Sequence, residues 1–177
     1  EDLHRAVRVK AAELDRPVRT SHIRADQVER GNYRHFMQKE IFEQPSAVAE
    51  TLEGRIDRPD WGLEDVAPGL EAAWSEVEEV LILACGTSYH AGLVARYWME
   101  AVAGVPCAVE IASEFRYRAS VLRPNTAVVA ISQSGETADT MAAIEDIRAR
   151  GVGPVLAICN VRESSLARAA DVTLYTE

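Results

Sequence analysis

Positive charge is scarce in this chain. Its 177 residues carry 19 Lys and Arg against 28 Asp and Glu, a formal net charge of −9, and no basic cluster stands out. Nucleic acid and anionic membrane surfaces are therefore disfavoured as main partners. A phosphorylated small molecule is not, because local backbone dipoles hold a phosphate even in an acidic protein. Cysteine is sparse as well: Cys85, Cys107 and Cys159 have neither CxxC nor metal-ligand spacing. Reduced, mostly buried thiols of a cytoplasmic protein are expected, with no metal and no cofactor. No apolar run reaches the roughly 18 residues of a membrane span, and no secretory signal pattern is visible. No turn reads GxGxxG and none carries a Walker lysine, which weakens a Rossmann-type nucleotide site. The chain opens at Glu1 rather than Met, so a piece of something longer is expected.

What is present begins with a rhythm. From Val80 onward, short apolar runs alternate with helical patterns. The runs are Val80–Ala84, Cys107–Ile111, Ala127–Ser132, Val155–Cys159 and Val172–Tyr175. The first, third and fourth are nearly all apolar, as in strands of a parallel sheet buried on both faces. The helical patterns are Tyr89–Ala103, a short Ser113–Tyr117, Ala138–Arg150 and Ser165–Ala170. In Tyr89–Ala103, residues Ala91, Val94, Ala95, Trp98 and Val102 share one face, the expected core face. Gly104 and Gly151 stand where left-handed helix caps belong. The expectation is an α/β fold with a doubly wound, mostly parallel five-stranded sheet. Ligands of such sheets bind beyond the carboxyl ends of the strands, where the strand order reverses. No helix follows the last strand to cover its part of the sheet, a second reason to expect truncation.

Two turns follow strand ends and carry hydroxyls. Ser132–Gln133–Ser134–Gly135–Glu136–Thr137 leads from a strand into a helix, and Cys85–Gly86–Thr87–Ser88 does the same earlier. Backbone N–H groups, hydroxyls and a helix N-terminus together suit an anion. The two turns are expected to face one sugar-phosphate site. Ordinary strand-to-helix turns use the same residue types, so neither turn decides the matter alone. Glu136 complicates the first, since a carboxylate repels phosphate unless it serves a helix N-terminus or points away. Cys85 invites a nucleophile reading, but no His, Asn or Asp accompanies it in an obvious arrangement. Glu114 and Arg118, four apart, suit a surface ion pair. Asn160 and the N-cap candidates Ser164 and Ser165 read as structural. His90 opens a helix beside the Cys85 turn without being required there.

The N-terminal part has a different character. Ala6–Lys10 alternates like a strand, Leu14–Pro17 reads as a turn, and residues 26–32 are polar. Tyr33–Leu52 is helical, with Pro45 as an interruption and Ser46 as N-cap of a second helix from Ala47 to about Gly54. Its charged side chains suit either a solvated face or docking to a partner domain. Arg58–Gly69 is loop-rich, with Trp61 expected to pack, and Leu70–Val77 reads as a short helix.

Four segments carry a family resemblance. Ala84–Tyr89, Glu110–Tyr117, Ile131–Thr140 and Ala157–Asn160 resemble the sugar-isomerase (SIS) domain of the glutamine–fructose-6-phosphate aminotransferase family. Tyr33–Pro45 resembles the segment that opens this family's isomerase half. The resemblance implies a flavodoxin-like sheet with an N-terminal helical lead-in. Residues 1–32 would be the tail of a glutaminase domain and linker, 33–78 the lead-in, and 79–177 the first SIS domain, truncated at its end. It implies a fructose 6-phosphate or glucosamine 6-phosphate site: Ser132, Gln133, Ser134 and Thr137 on the phosphate, and Cys85, Gly86, Thr87 and Ser88 near the sugar. It implies a homodimer, with glutaminase and second SIS domains as missing partners of the parent chain. The lysine, glutamate and histidine of this family's acid–base chemistry lie in that second domain and the chain terminus. The glutaminase cysteine has no counterpart, residue 1 being Glu. No catalytic residue is therefore expected here. A stand-alone SIS module that senses phosphosugars is the alternative, although no basic helix-turn-helix pattern accompanies it.

Overall fold

The computed structural model describes residues 29–55 and 74–176. The expectations for Ala6–Lys10, Leu14–Pro17, the Arg58–Gly69 loop with Trp61, and most of Leu70–Val77 lie outside the described residues. The chain divides into two compact units, Glu1–Glu43 and Gln44–Glu177.

Helix α1, Phe36–Leu52, contributes residues to both units. Within the first unit, Lys39 is buried and donates to the Glu29 carbonyl at 2.6 Å, while Tyr33 stacks on Phe42 at 5.8 Å. α1 corrects the sequence reading, because it runs unbroken through Pro45. Proline's fixed φ is itself helical, and its main cost is the carbonyl bond it cannot supply. That carbonyl belongs to Ile41, which is exposed, so the missing bond falls where solvent can reach it.

The second unit forms, among the described residues, one five-stranded sheet. Its strands are β1 (Glu79–Ala84), β2 (Cys107–Ile111), β3 (Thr126–Ile131), β4 (Val155–Cys159) and β5 (Val172–Tyr175). Their order is β2-β1-β3-β4-β5 and every pairing is parallel. The expected near-continuous apolar strands are there for the expected reason: both faces are covered. One face sets Leu81, Leu83, Val128, Ala130, Val155 and Ala157 against Phe115, Ile144, Ile147 and Leu166. Those four come from α3 (Ala112–Phe115), α4 (Ala138–Ala149) and α5 (Ser165–Ala169). The other face gathers Val80, Ile82, Cys107, Ala127, Val129, Leu156 and Val172, with Ala95 and Met99 packed against them.

Ala95 lies on α2 (Gly86–Trp98), and Met99 opens the π-helical turn Met99–Ala103 that ends it at left-handed Gly104 (φ 67°). Here the expected core face is corrected. Gly92, Ala95 and Met99 face the sheet, and Val94, Trp98 and Val102 point outward, 51%, 66% and 86% exposed. A Cβ on Gly92 would lie 3.0 Å from Ile82 Cγ2 and 3.1 Å from Val109 Cγ1. The sheet accepts α2 only along its small residues, so the bulky apolar stripe is left on the outside. Gly151 takes the expected positive φ, 68°, after α4.

Candidate functional site

In the observed order, β1 and β3 are neighbours while the chain leaves β1 toward β2 on one side and continues from β3 on the other. The order reverses between them, which is where such sheets leave a crevice at their carboxyl ends. Ala84 and Ile131 are cross-strand partners at those ends. Cys85 follows the first and Ser132 the second, so the two hydroxyl-bearing turns leave the sheet one strand spacing apart, about 4.8 Å.

The first turn is more helical than its sequence suggests. Cys85 is the N-cap of α2, and Gly86, Thr87 and Ser88 form its first turn. Gly86 has φ 55°, and a Cβ there would meet nothing within 4 Å, so a ligand can approach its backbone. Gly86 and Thr87 are exposed; Cys85 and Ser88 are half-buried. The Cys85 side chain makes no capping bond. His90 is exposed and meets Tyr89 edge-on at 5.6 Å.

The second turn is held from inside. Ser132 is 4% exposed, and its Oγ accepts the Gly135 N–H at 3.2 Å and lies 2.9 Å from Thr137 Oγ1. Ser134 Oγ accepts the Glu136 N–H at 3.2 Å. Ser132 N–H donates to the Ile158 carbonyl and the Asn160 N–H to the Gln133 carbonyl, both at 3.0 Å, which fastens the turn to the end of β4. Ser134 and Gln133 are exposed and Thr137 is half-buried. Thr137 is the N-cap of α4, yet its hydroxyl does not cap that helix. Both helices at the crevice thus begin without a side-chain cap, which leaves their first N–H groups to water or a ligand. α5 contrasts with them, because Ser164 Oγ caps it through the Ala167 N–H.

Glu136 points away from the crevice, and its Oε1 accepts the Ser165 N–H at 2.7 Å. That bond and the Ser165 hydroxyl, with Arg168 nearby, hold its carboxyl below the usual carboxylate range. The expected Glu114–Arg118 pair is not formed. Arg118 lies beyond the end of α3, so helical spacing no longer stacks the two, and it pairs with Glu110 instead while lying over the Phe115 ring. Asn160 is structural, accepting from Thr176 Oγ1 at 2.7 Å. Ser164, Ser165 and Gly135 meet beneath the second turn. Only the capping role of the two serines was visible in the sequence, because their partners lie far away along the chain. Among the described residues, no group of three His, Cys, Asp or Glu side chains is placed to hold a metal. Nor is any helix there long and apolar enough to cross a membrane.

The SIS domain family matches residues 75–177 of this chain. The chain belongs to the SIS domain family. Most of its length is also similar to longer relatives. It is 51% identical over 164 residues to the glutamine–fructose-6-phosphate aminotransferase (isomerizing) of Yersinia pseudotuberculosis, covering 93% of this chain and 27% of that protein. The Escherichia coli K12 protein of the same name is 50% identical over 165 residues, covering 93% and 27%. The solved C-terminal domain of glucosamine-fructose-6-phosphate aminotransferase from Francisella tularensis superposes with a TM-score of 0.78 at 41% identity. That match covers 84% of this chain and 42% of the other. The chain thus spans about a quarter of the length of the full-length relatives it matches, and its SIS domain holds both turns.

Proposed function

We infer that this chain is the sugar-phosphate-binding part of an aminotransferase that converts fructose 6-phosphate and glutamine to glucosamine 6-phosphate and glutamate. The observation that carries this is the pairing of Ala84 with Ile131, which sets the two uncapped helix starts side by side at the switch point. Similarity to the aminotransferases along nearly the whole chain supplies the substrate. In this reading Ser132, Gln133, Ser134 and Thr137 receive the phosphate. Thr87 and Ser88, with Cys85 and Gly86 beside them, receive the sugar. Ser132 also works from within the turn, holding Thr137 Oγ1 and closing the turn through the Gly135 N–H.

The chain's own contribution is binding and orientation. The resemblance to the aminotransferases assigns acid–base chemistry on the sugar to other parts of the parent protein, and none of these eight residues is read as a catalytic group. That same fact favours the second reading, a phosphosugar-sensing SIS module without catalysis. Residues 1–32 are read as glutaminase tail and linker, 33–78 as lead-in, and 79–177 as the first SIS domain of a cytoplasmic enzyme. The exposed stripe Val94, Tyr97, Trp98 and Val102 on α2 and its π-helical end supports a homodimeric parent.

Calorimetry with fructose 6-phosphate, and with fructose and ATP as controls, tests the site. Binding is expected to require the phosphate. A Ser134→Ala, Thr137→Ala double variant is expected to weaken it by at least about tenfold, as lost hydrogen bonds to a charged group do. Equal affinity for fructose, or an unchanged double variant, refutes the phosphate turn.

A further inference from the structure

The second turn contains a physical conflict. Glu136 sits between Ser134 and Thr137, where a phosphate dianion is placed, and like charges repel. The structure resolves it by directing the carboxylate to α5, where Oε1 accepts the Ser165 N–H at 2.7 Å. Beside it, the Gly135 carbonyl accepts the Leu166 N–H at 3.0 Å. Ser164 Oγ takes the Ala167 N–H at 3.3 Å, and the Ser164 carbonyl takes the Arg168 N–H at 3.1 Å. The four N–H groups that open α5 are all occupied, two of them by the turn itself. Arg168 also donates to Ser165 Oγ at 3.2 Å, which keeps a positive charge beside the carboxylate.

Glu136 acts on the turn in a second way, since its own N–H donates to Ser134 Oγ at 3.2 Å. One residue therefore ties its side chain to a neighbouring helix and its backbone to the hydroxyl of exposed Ser134. The fit beneath is tight: a Cβ on Gly135 would fall 2.2 Å from Ser164 Oγ. A turn this closely seated has few alternative arrangements.

We propose that Glu136 is a positioning residue, pinning the Ser132–Thr137 turn to the start of α5 so that Ser134 and the turn's N–H groups are preset for the phosphate of the ligand. The proposal rests on the reading above that this turn holds phosphate. The acceptor oxygen matters, rather than the charge. Removing the pin frees the turn and restores the ordering cost to binding.

The test uses calorimetry with fructose 6-phosphate on the unaltered chain and four variants, each shown folded by its thermal transition at the temperature used. Glu136→Gln keeps an oxygen that accepts the Ser165 N–H, and it is expected to bind within about threefold of the unaltered chain. Glu136→Ala is expected to bind roughly tenfold more weakly. Ser165→Pro removes the donor from the other side. Residue 165 is the first helical position, where proline is tolerated. Ser164 already has φ −62° and ψ 162°, the extended form a residue before proline adopts. This variant is expected to match Glu136→Ala, and combining the two is expected to add little further loss. Should Glu136→Ala fail to fold, Ser165→Pro and Glu136→Gln carry the comparison.

Tighter binding by both Glu136 variants overturns the proposal, since it marks the carboxylate as a repelling charge. Equal weakening by Glu136→Gln and Glu136→Ala overturns it too, since the acceptor bond is then irrelevant. Unchanged binding by Glu136→Ala overturns it while leaving the phosphate site standing. If the unaltered chain binds no phosphosugar, the site reading fails and the proposal falls with it.

Discussion

Gly135 is the residue on which the second turn depends most. Its φ of 65° and its contact with Ser164 leave room for no side chain. Gly135→Ala is expected to destabilise the chain by about 2–4 kcal/mol, combining left-handed strain with displacement of a buried cap. Urea unfolding measures this, and a loss under about 0.5 kcal/mol would show that Ser164 yields freely. Glu136 makes a second residue-level prediction. Its carboxyl titrates below the ordinary value of 4.5 because the Ser165 N–H and hydroxyl, with Arg168, favour its charged form. The charge-dependent part of the contact therefore contributes in full above that ordinary value and is lost as pH falls through the lower folded-state midpoint, while the acceptor oxygen itself remains. The Ser165 amide shift, followed by NMR against pH, should report that depressed midpoint; a midpoint at or above the ordinary value would contradict it. The strand-to-helix turn itself was legible in the sequence because small hydroxylated residues and a glycine belong at such a position. The destination of Glu136 was open, because its partner stands 29 residues away and only the fold brings α5 beneath the turn.

Elements were legible wherever one physical constraint dominated. β1, β3 and β4 were evident as apolar runs because a sheet covered on both faces tolerates little else. α2 shows where periodicity stops informing. Val94, Trp98 and Val102 do share a face, as their spacing says, but spacing does not name the partner of that face. The sheet's closeness at Ile82 and Val109 decided the matter in favour of Gly92 and Ala95. α1 shows the same limit from the other side: Pro45 is a breaker by type, yet the helix runs through it where the carbonyl it orphans is open to solvent. If the α2 stripe is a subunit contact, Trp98→Glu with Val102→Glu should shift the chain from dimer to monomer in sedimentation velocity without lowering helix content. A monomeric unaltered chain at tens of micromolar, where an interface of standard size is occupied, would remove α2 from consideration as a dimer face.

At the scale of the whole molecule, alternating strands and helices were enough to anticipate a switch point, but its place between β1 and β3 follows only from the strand order. The order of the strands was not legible, because apolar runs of similar length are interchangeable until paired. That order has a kinetic consequence. Thr126 Oγ1 donates to Glu79 at 2.6 Å across 47 residues of chain, and β1 and β3 meet only after β2 and its connections have been accommodated. The two turns become neighbours through that distant pairing, so the crevice between them does not exist as a local structure early in folding. A phosphosugar then has nothing to grip until the barrier has been crossed. Saturating fructose 6-phosphate is expected to slow unfolding while leaving the refolding rate within about twofold. Stopped-flow refolding distinguishes the cases, since acceleration by ligand would mean that the crevice is assembled before the rate-limiting step. The ligand would serve as a latch on the finished protein rather than a guide to making it.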